Sequence, residues 1–179
     1  RYITNHSTGK MGYALARAAM LRGASVTLVT GRTETPKPRF VEIREVVSAR
    51  DMYEAVMDKA ASQDILILAA AVADYRPRHV AAEKIKKMDG DSVLELERTD
   101  DILATLGAKR RPGQFLCGFS METEHMLENS RKKLEKKRID MIVANNLRQE
   151  GAGFGVDTNV VTLITRDWEE ALPKLTKDE

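Results

Sequence analysis

The sequence predicts an α/β fold: a doubly wound, Rossmann-like sheet, mostly parallel, with a long mobile loop at about residues 73–91. Three observations carry this expectation. Apolar, β-branched runs alternate with helical patterns from end to end, as parallel strands joined by crossover helices do. The run Asp64–Ala71 is apolar at nearly every position, which suits a central parallel strand covered on both faces. No internal repeat or second domain boundary is visible, and 179 residues suffice for one core without disulfides or metals.

Element by element, Lys10–Leu21 is rich in alanine and methionine and reads as a helix, with Gly23 placed just past its end. Ser25–Thr30 is a β-rich run closed by Gly31, and the two prolines of Thr33–Pro38 mark a loop. Val41–Val47 is a second strand. Ser48 then caps a helix, with Asp51 three residues on as a variant of the capping box. After the apolar strand comes the irregular stretch 73–91, whose length points to function or disorder. Ser92–Glu97 alternates as a partly exposed strand, and Thr99 or Asp100 caps a helix through Leu106. Phe115–Phe119, Asp140–Ala144 and Asn159–Thr165 are strands, with a helix over Glu122–Lys137.

Composition excludes more than it assigns. Net charge is +2, from 29 basic and 27 acidic residues, so bulk charge points to neither nucleic acid nor membrane. The longest apolar run, Ile65–Ala73, is too short to span a bilayer, and no signal peptide is visible. Cys117 has no partner for an internal disulfide, which suits a reducing cytoplasm, and its apolar surroundings read as burial rather than nucleophilicity. His6, His79 and His125 show no metal-ligand spacing, and no Ser-His-Asp arrangement is supported.

In a doubly wound sheet, ligands sit beyond the carboxyl ends of the strands. Asn5–Gly12 opens the first helix with hydroxyls, glycines and Lys10. It suits an anion at a helix N-terminus, and equally a capped, closely packed helix start; it matches neither a P-loop nor a GxGxxG turn. The small residues Ala69, Ala70 and Ala71 let a planar ring approach the backbone, and Asp74 could hold a cation or a ligand amino or hydroxyl group. Tight packing with a turn aspartate accounts for the same residues. Lys84-Ile85-Lys86-Lys87 is either a solvated face or a mobile lysine loop closing on a triphosphate. Lys133 and Lys137 share a helix face and could clamp phosphates, while Glu128 and Lys132 make a favourable surface pair. The glycines of Gly151–Gly155 suit a tight turn.

Taken together, these segments resemble the bacterial, CTP-dependent phosphopantothenoylcysteine synthetases, phosphopantothenate–cysteine ligases that form the C-terminal domain of a bifunctional coenzyme A biosynthesis protein. The matching residues are Arg1–Gly12, Ala69–Pro77, Lys84–Lys87, Asp101-Ile102-Leu103, Gly118-Phe119 with Glu122-Thr123, Lys132-Lys133, Ala144-Asn145 and Gly153–Asn159, in the family's order across nearly the whole chain. The resemblance implies one ligase domain over 1–179, with a further strand and a glycine-rich turn upstream of Arg1. It implies that the carboxylate of 4′-phosphopantothenate attacks the α-phosphate of CTP. The cysteine amine would then resolve the acyl-cytidylate, with Mg²⁺ on the triphosphate and possibly on Asp74.

Carried over by position, Asn5, Lys84 and Arg1 would be catalytic. Ala69, Ala70, Ala71, Asp74, Lys84, Asp100, Asp101, Ile102, Leu103, Phe119, Lys133 and Lys137 would bind CTP. Asn5, Gly9, Lys10 and Ala71 would bind phosphopantothenate. The resemblance further implies a homodimer, a cytoplasmic location, and a fused or associated phosphopantothenoylcysteine decarboxylase whose FMN would not belong to this chain. This sequence has Thr99-Asp100-Asp101 where the family has Thr-Pro-Asp, Asn145-Asn146 for Asn-Asp, and Phe119–Thr123 for Phe-Ala-Ala-Glu-Thr. Two rivals share the fold: an NAD(P)-dependent oxidoreductase, which lacks support from a glycine fingerprint or a Tyr-x-x-x-Lys pair, and a non-catalytic nucleotide-binding module.

Overall fold

A computed structural model of the chain describes residues 3–81, 83–86, 93–122, 126–146 and 155–179. Helix α1 spans Lys10–Leu21. It starts from Gly9, whose φ of 74° is the left-handed region where a side chain would be strained; Gly9 offers no side-chain cap, and the Lys10 N–H meets Thr8 Oγ1 at 3.5 Å. Strand β1 (Thr27–Thr30) pairs in parallel with β2 (Glu42–Glu45). Helix α2 (Ala49–Ala60) begins with the full reciprocal box: Asp51 N–H donates to Ser48 Oγ at 3.1 Å, and Ser48 N–H donates to Asp51 Oδ2 at 2.9 Å. These bonds hold the Asp51 carboxyl below its usual range.

The main sheet contains β3 (Ile65–Leu68), β6 (Phe115–Glu122), β7 (Met141–Asn146), β9 (Val161–Ile164) and β10 (Glu169–Ala171), in the order β10-β9-β7-β6-β3. The pairs β3–β6 and β6–β7 are parallel; β9 and β10 turn the far edge antiparallel. Helices α3 (Ile102–Lys109) and α4 (Met126–Lys137) pack on one face. Their Ile102, Leu106 and Leu134 close over Leu66, Leu116, Ile142 and Ala144 in a single buried cluster. The mostly parallel α/β expectation therefore stands.

Several boundaries differ from expectation, each for a physical reason. The apolar run at 64–71 gives a strand only at Ile65–Leu68, and it lies at the edge of its sheet rather than in the centre. Ile65 and Ile67, which share one face of the strand, are 61% and 44% exposed, so that face is not covered as expected. The loop at 73–91 contains a short strand, β4 (Tyr75–Pro77), which pairs antiparallel with β5 (Leu96–Arg98). That pairing replaces the strand expected over 92–97, of which residue 92 lies outside the described residues.

The cap of α3 is neither Thr99 nor Asp100 but Asp101, whose Oδ1 accepts from the Ala104 N–H at 2.9 Å. Strand β6 runs on to Glu122, pairing Met121 with Asn145, so α4 starts at Met126 rather than Glu122. The last expected strand is split into β8 (Thr158–Asn159) and β9. β8 pairs with β11 (Leu175–Thr176), and neither β10 nor β11 was anticipated. Cys117 is buried as expected, and burial pushes its thiol up to about 12, which leaves it inert at neutral pH.

Glycine contacts give a direct test of this packing. A Cβ on Gly107, inside α3, would overlap the backbone carbonyl of Lys137 at the end of α4, whereas one on Gly12 in α1 meets nothing within 4 Å. Gly107→Ala should therefore cost about 3 kcal/mol, since backbone cannot retreat like a side chain. Gly12→Ala should be neutral or stabilising by up to about 1 kcal/mol. Urea midpoints of the two variants would decide it, and equal midpoints would contradict the α3–α4 contact.

Candidate functional site

The loop leaving β3 is the centre of the candidate site, because bonds from two other segments converge on it. The Asn5 side-chain amide donates to the Val72 carbonyl at 3.2 Å. The Thr99 hydroxyl donates to the Ala73 carbonyl at 2.7 Å, and the Thr99 N–H to the Asp74 carbonyl at 3.0 Å. Segment 5–9, loop 69–74 and the start of α3 are thereby joined at the carboxyl end of β3. The Asp74 side chain remains exposed, as does Ala70, while Ala69 and Ala71 are half-buried.

From Thr99 the chain passes through Asp100 to Asp101, whose carboxylate serves two purposes. It caps α3, and its Oδ2 lies 3.1 Å from Lys137 Nζ. Burial pushes the Asp101 carboxyl up, but the Ala104 N–H and Lys137 outweigh it and hold the group below its usual range. Ile102 is buried in the core, and Leu103 packs on Gly118, where a Cβ would lie 2.5 Å from Leu103 Cδ2. Gly118 thus admits the α3 side chain next to half-buried Phe119. Lys133 is exposed on the same face of α4 as Lys137.

Other expected residues stand apart from this centre. Lys10 Nζ donates to Asp157 Oδ1 at 2.7 Å and to the Gly155 carbonyl at 3.1 Å, so its ammonium is turned to the C-terminal loop. That bond holds the Asp157 carboxyl low. A cleft of about 320 Å³ lies beside it, lined by Lys10, Arg17, Thr35, Asp157, Lys177 and Asp178. Lys84 is exposed beyond β4. Arg1, Lys87 and the glycines up to Gly153 lie outside the described residues.

Among the described residues, no group of three His, Cys, Asp or Glu side chains gathers as metal ligands. Asp74 therefore offers a single carboxylate, enough for an ion that brings most of its ligands with a polyphosphate but not for a protein-held one. No described helix is long and apolar enough to cross a membrane.

Asn145 is the residue whose importance the sequence understates. It is 8% exposed at the carboxyl end of β7, and its Oδ1 is buried without a hydrogen-bond partner among the described residues. A buried acceptor left unmade costs about 1–3 kcal/mol, so it is retained where something else can satisfy it. Its place just past the run expected as a strand at 140–144 and its part in the family match were its signals in the sequence.

Comparison with known proteins gives the family and the fold. The family model described as "DNA/pantothenate metabolism flavoprotein C-terminal domain" matches residues 1–179. The Coenzyme A biosynthesis bifunctional protein CoaBC of Bacillus subtilis (strain 168) is 48% identical over 179 residues, 99% of this chain and 44% of that protein. The chain thus spans less than half the length of that relative. A crystal structure of the C-terminal domain of a CoaBC protein superposes with a TM-score of 0.82 at 42% identity, covering 99% of this chain and 80% of that one. A Cab2 mutant in complex with phosphopantothenate-cysteine shares the fold, with a TM-score of 0.77 at 15% identity over 97% of this chain and 74% of that one.

The double use of Asp101 predicts a pH dependence. Its folded pKa is depressed below the unfolded value of about 3.9, so its contribution is full above about pH 4 and lost as pH falls through the folded value. Asp101→Asn keeps a competent cap but not the charge. Its urea midpoint should therefore converge on that of the unaltered protein as pH drops from about 5 to about 2. Parallel midpoints over that range would remove Asp101 as the titrating group. Asp101→Ala, which also loses the cap, should cost about 1 kcal/mol more at neutral pH.

Proposed function

The chain belongs to the DNA/pantothenate metabolism flavoprotein C-terminal domain family, and from that premise we propose that it is a phosphopantothenate–cysteine ligase acting in coenzyme A synthesis through CTP. The observation that carries the reading is the convergence on the loop after β3. Asn5, Ala69–Asp74 and Asp100–Leu103 are distant in sequence, and the bonds to the Val72, Ala73 and Asp74 carbonyls bring them to one place. The reading makes residues 1–179 one ligase domain of a longer bifunctional protein, working as a homodimer.

A carboxylate is a poor acyl donor because its leaving group would be oxide. In the first half-reaction one carboxylate oxygen of 4′-phosphopantothenate bonds to the α-phosphorus of CTP and pyrophosphate departs. In the second, the cysteine amine bonds to the acyl carbon, loses a proton, and CMP leaves with the shared oxygen. Ala69–Ala71 admit the cytidine against the backbone. The buried Oδ1 of Asn145, which has no partner among the described residues, offers an acceptor to a ligand N–H or O–H at the same end of the sheet.

Lys133, Lys137 and Lys84 supply cationic charge to the triphosphate, Lys84 from an exposed segment free to approach. Mg²⁺ would come with the triphosphate, Asp74 being the carboxylate at hand, and would supply neutralising charge for the pyrophosphate. The Asn5 amide donates to the acyl oxygen as charge develops there, exchanging its bond to the Val72 carbonyl. The start of α1 at Gly9-Lys10 is the place for the phosphate of phosphopantothenate. Arg1 is expected to act in the same site.

The test is to incubate the full-length protein with CTP, Mg²⁺ and 4′-phosphopantothenate without cysteine. Pyrophosphate and a phosphopantothenoyl-cytidylate should form, and CMP should follow when cysteine is added. Asn5→Ala should slow CMP release about 10²-fold or more, as loss of an oxyanion donor does, and Lys84→Gln should slow pyrophosphate release. CTP binding without pyrophosphate would favour a non-catalytic nucleotide-binding module. Binding of NADP in place of CTP would favour an oxidoreductase.

A further inference from the structure

Segment Asn5–Lys10 is held at three points, and one of them comes from a loop that the ligase reading leaves without a role. Its ends are tied by the Asn5 amide to Val72 and by the Lys10 ammonium to Asp157. Between them, the Thr8 carbonyl accepts a 2.6 Å hydrogen bond from the Thr35 hydroxyl, in the loop joining β1 to β2. The same loop supports Gly9 from below. A Cβ on Gly9 would lie 2.8 Å from the Thr33 methyl, so the left-handed glycine and the threonine fit each other closely. The Thr33 hydroxyl donates to the Tyr13 hydroxyl at 3.1 Å, and Tyr13 meets Thr30 Oγ1 at 3.3 Å. Thr30 donates in turn to the Gly31 carbonyl at 3.0 Å.

Each hydroxyl carries one proton, and the order Thr33, Tyr13, Thr30, Gly31 uses each of them once. Tyr13 is 1% exposed and Thr30 7%, so this chain is rooted in the interior and gives the loop a fixed foundation. Thr35 then reaches from that foundation to the backbone between the two functional ends of the segment. Because Asn5 is itself exposed, its placement depends on the backbone that carries it.

We propose that Thr35 is a positioning residue, whose hydrogen bond to the Thr8 carbonyl fixes the Asn5–Gly9 backbone and so aims the Asn5 amide at the acyl group. The inference rests on the ligase reading for what the segment does, but not for what holds it. The hydrogen bonds of Thr35 reach Thr8 and Thr33, neither of them assigned to CTP, whose residues lie past β3 and β4, at the start of α3, on β6 and on α4. Its loss should therefore affect acyl transfer rather than nucleotide affinity.

The experiment compares Thr35→Val, which keeps the shape and loses the donor, with Thr35→Ser, which restores the hydroxyl. Two readouts are taken in the full-length protein: CMP release on adding cysteine, and hydrogen exchange of the peptide spanning residues 3–13. Thr35→Val should slow CMP release about tenfold, the scale of a sub-ångström misplacement of a reacting group, with KM for CTP within about twofold of normal. It should speed exchange in that peptide without changing the melting temperature, and Thr35→Ser should return both readouts towards normal. Unchanged exchange in Thr35→Val overturns the proposal whatever the activity does. Faster exchange with a normal rate, or a Thr35→Ser as slow as Thr35→Val, overturns it as well. An unaltered protein that releases no CMP counts against the ligase reading alone, and the exchange comparison then decides whether Thr35 orders the segment.

Discussion

Three consecutive carbonyls, those of Val72, Ala73 and Asp74, hold the candidate site together. Each accepts a hydrogen bond from a distant part of the chain: the Asn5 side chain, the Thr99 hydroxyl and the Thr99 N–H. A loop leaving an edge strand would otherwise expose these acceptors to water and sample many conformations. Their use instead joins the segment before α1 to the segment before α3, with β3 between them. The arrangement is asymmetric in a useful way. Thr99 gives two bonds and docks the start of α3 firmly, whereas Asn5 gives one bond from an exposed side chain, which a ligand carbonyl can replace at little cost.

How much of this was legible depends on how local the determining interaction is. The Ser48–Asp51 box, the helix ending before Gly23 and the buried runs around Leu116 and Ile142 were readable because their causes lie within a few residues. The edge position of β3 was not. Its alternation is masked because Ile65 and Ile67 are as apolar as the buried Leu66, so the run reads as two-sided burial. The choice of Asp101 over Thr99 as the α3 cap was unreadable for a different reason. Thr99, Asp100 and Asp101 are all competent caps by type, and the Thr99 hydroxyl is spent on the Ala73 carbonyl, a contact across 26 residues.

Strands β4, β10 and β11 have two or three residues each and exist only through pairing, so no periodicity could reveal them. Among the candidate residues, Ala69–Ala71 and Asp74 drew notice from their types past an apolar strand, with tight packing as the equal alternative, whereas Asp100–Leu103 and Phe119 entered through family resemblance. Small or apolar side chains that work through the backbone carry little signal of their own. Asn145 was half-legible: it lies in the family match, but an amide after an apolar run is ordinary, and its buried oxygen without a partner among the described residues is visible only in the structure.

The cations of the site bear on how it can take a charged ligand. Lys137 stands against Asp101 and Lys10 against Asp157, so neither ammonium waits bare for a phosphate. Such pairs do not oppose binding. Asp101 and Asp157 are 51% and 85% exposed in their side chains, and exposed pairs contribute only about 0–1 kcal/mol each. A polyphosphate brings several charges and forms charge-assisted bonds that such a carboxylate cannot match in number. The carboxylate released from Lys137 still has its cap bond to the Ala104 N–H, and so is not left unpaired when the lysine turns away. On the proposed reading the pairs would keep both long side chains near a polyphosphate, and for Lys137 the exchange would be eased because Asp101 stays bonded to its helix.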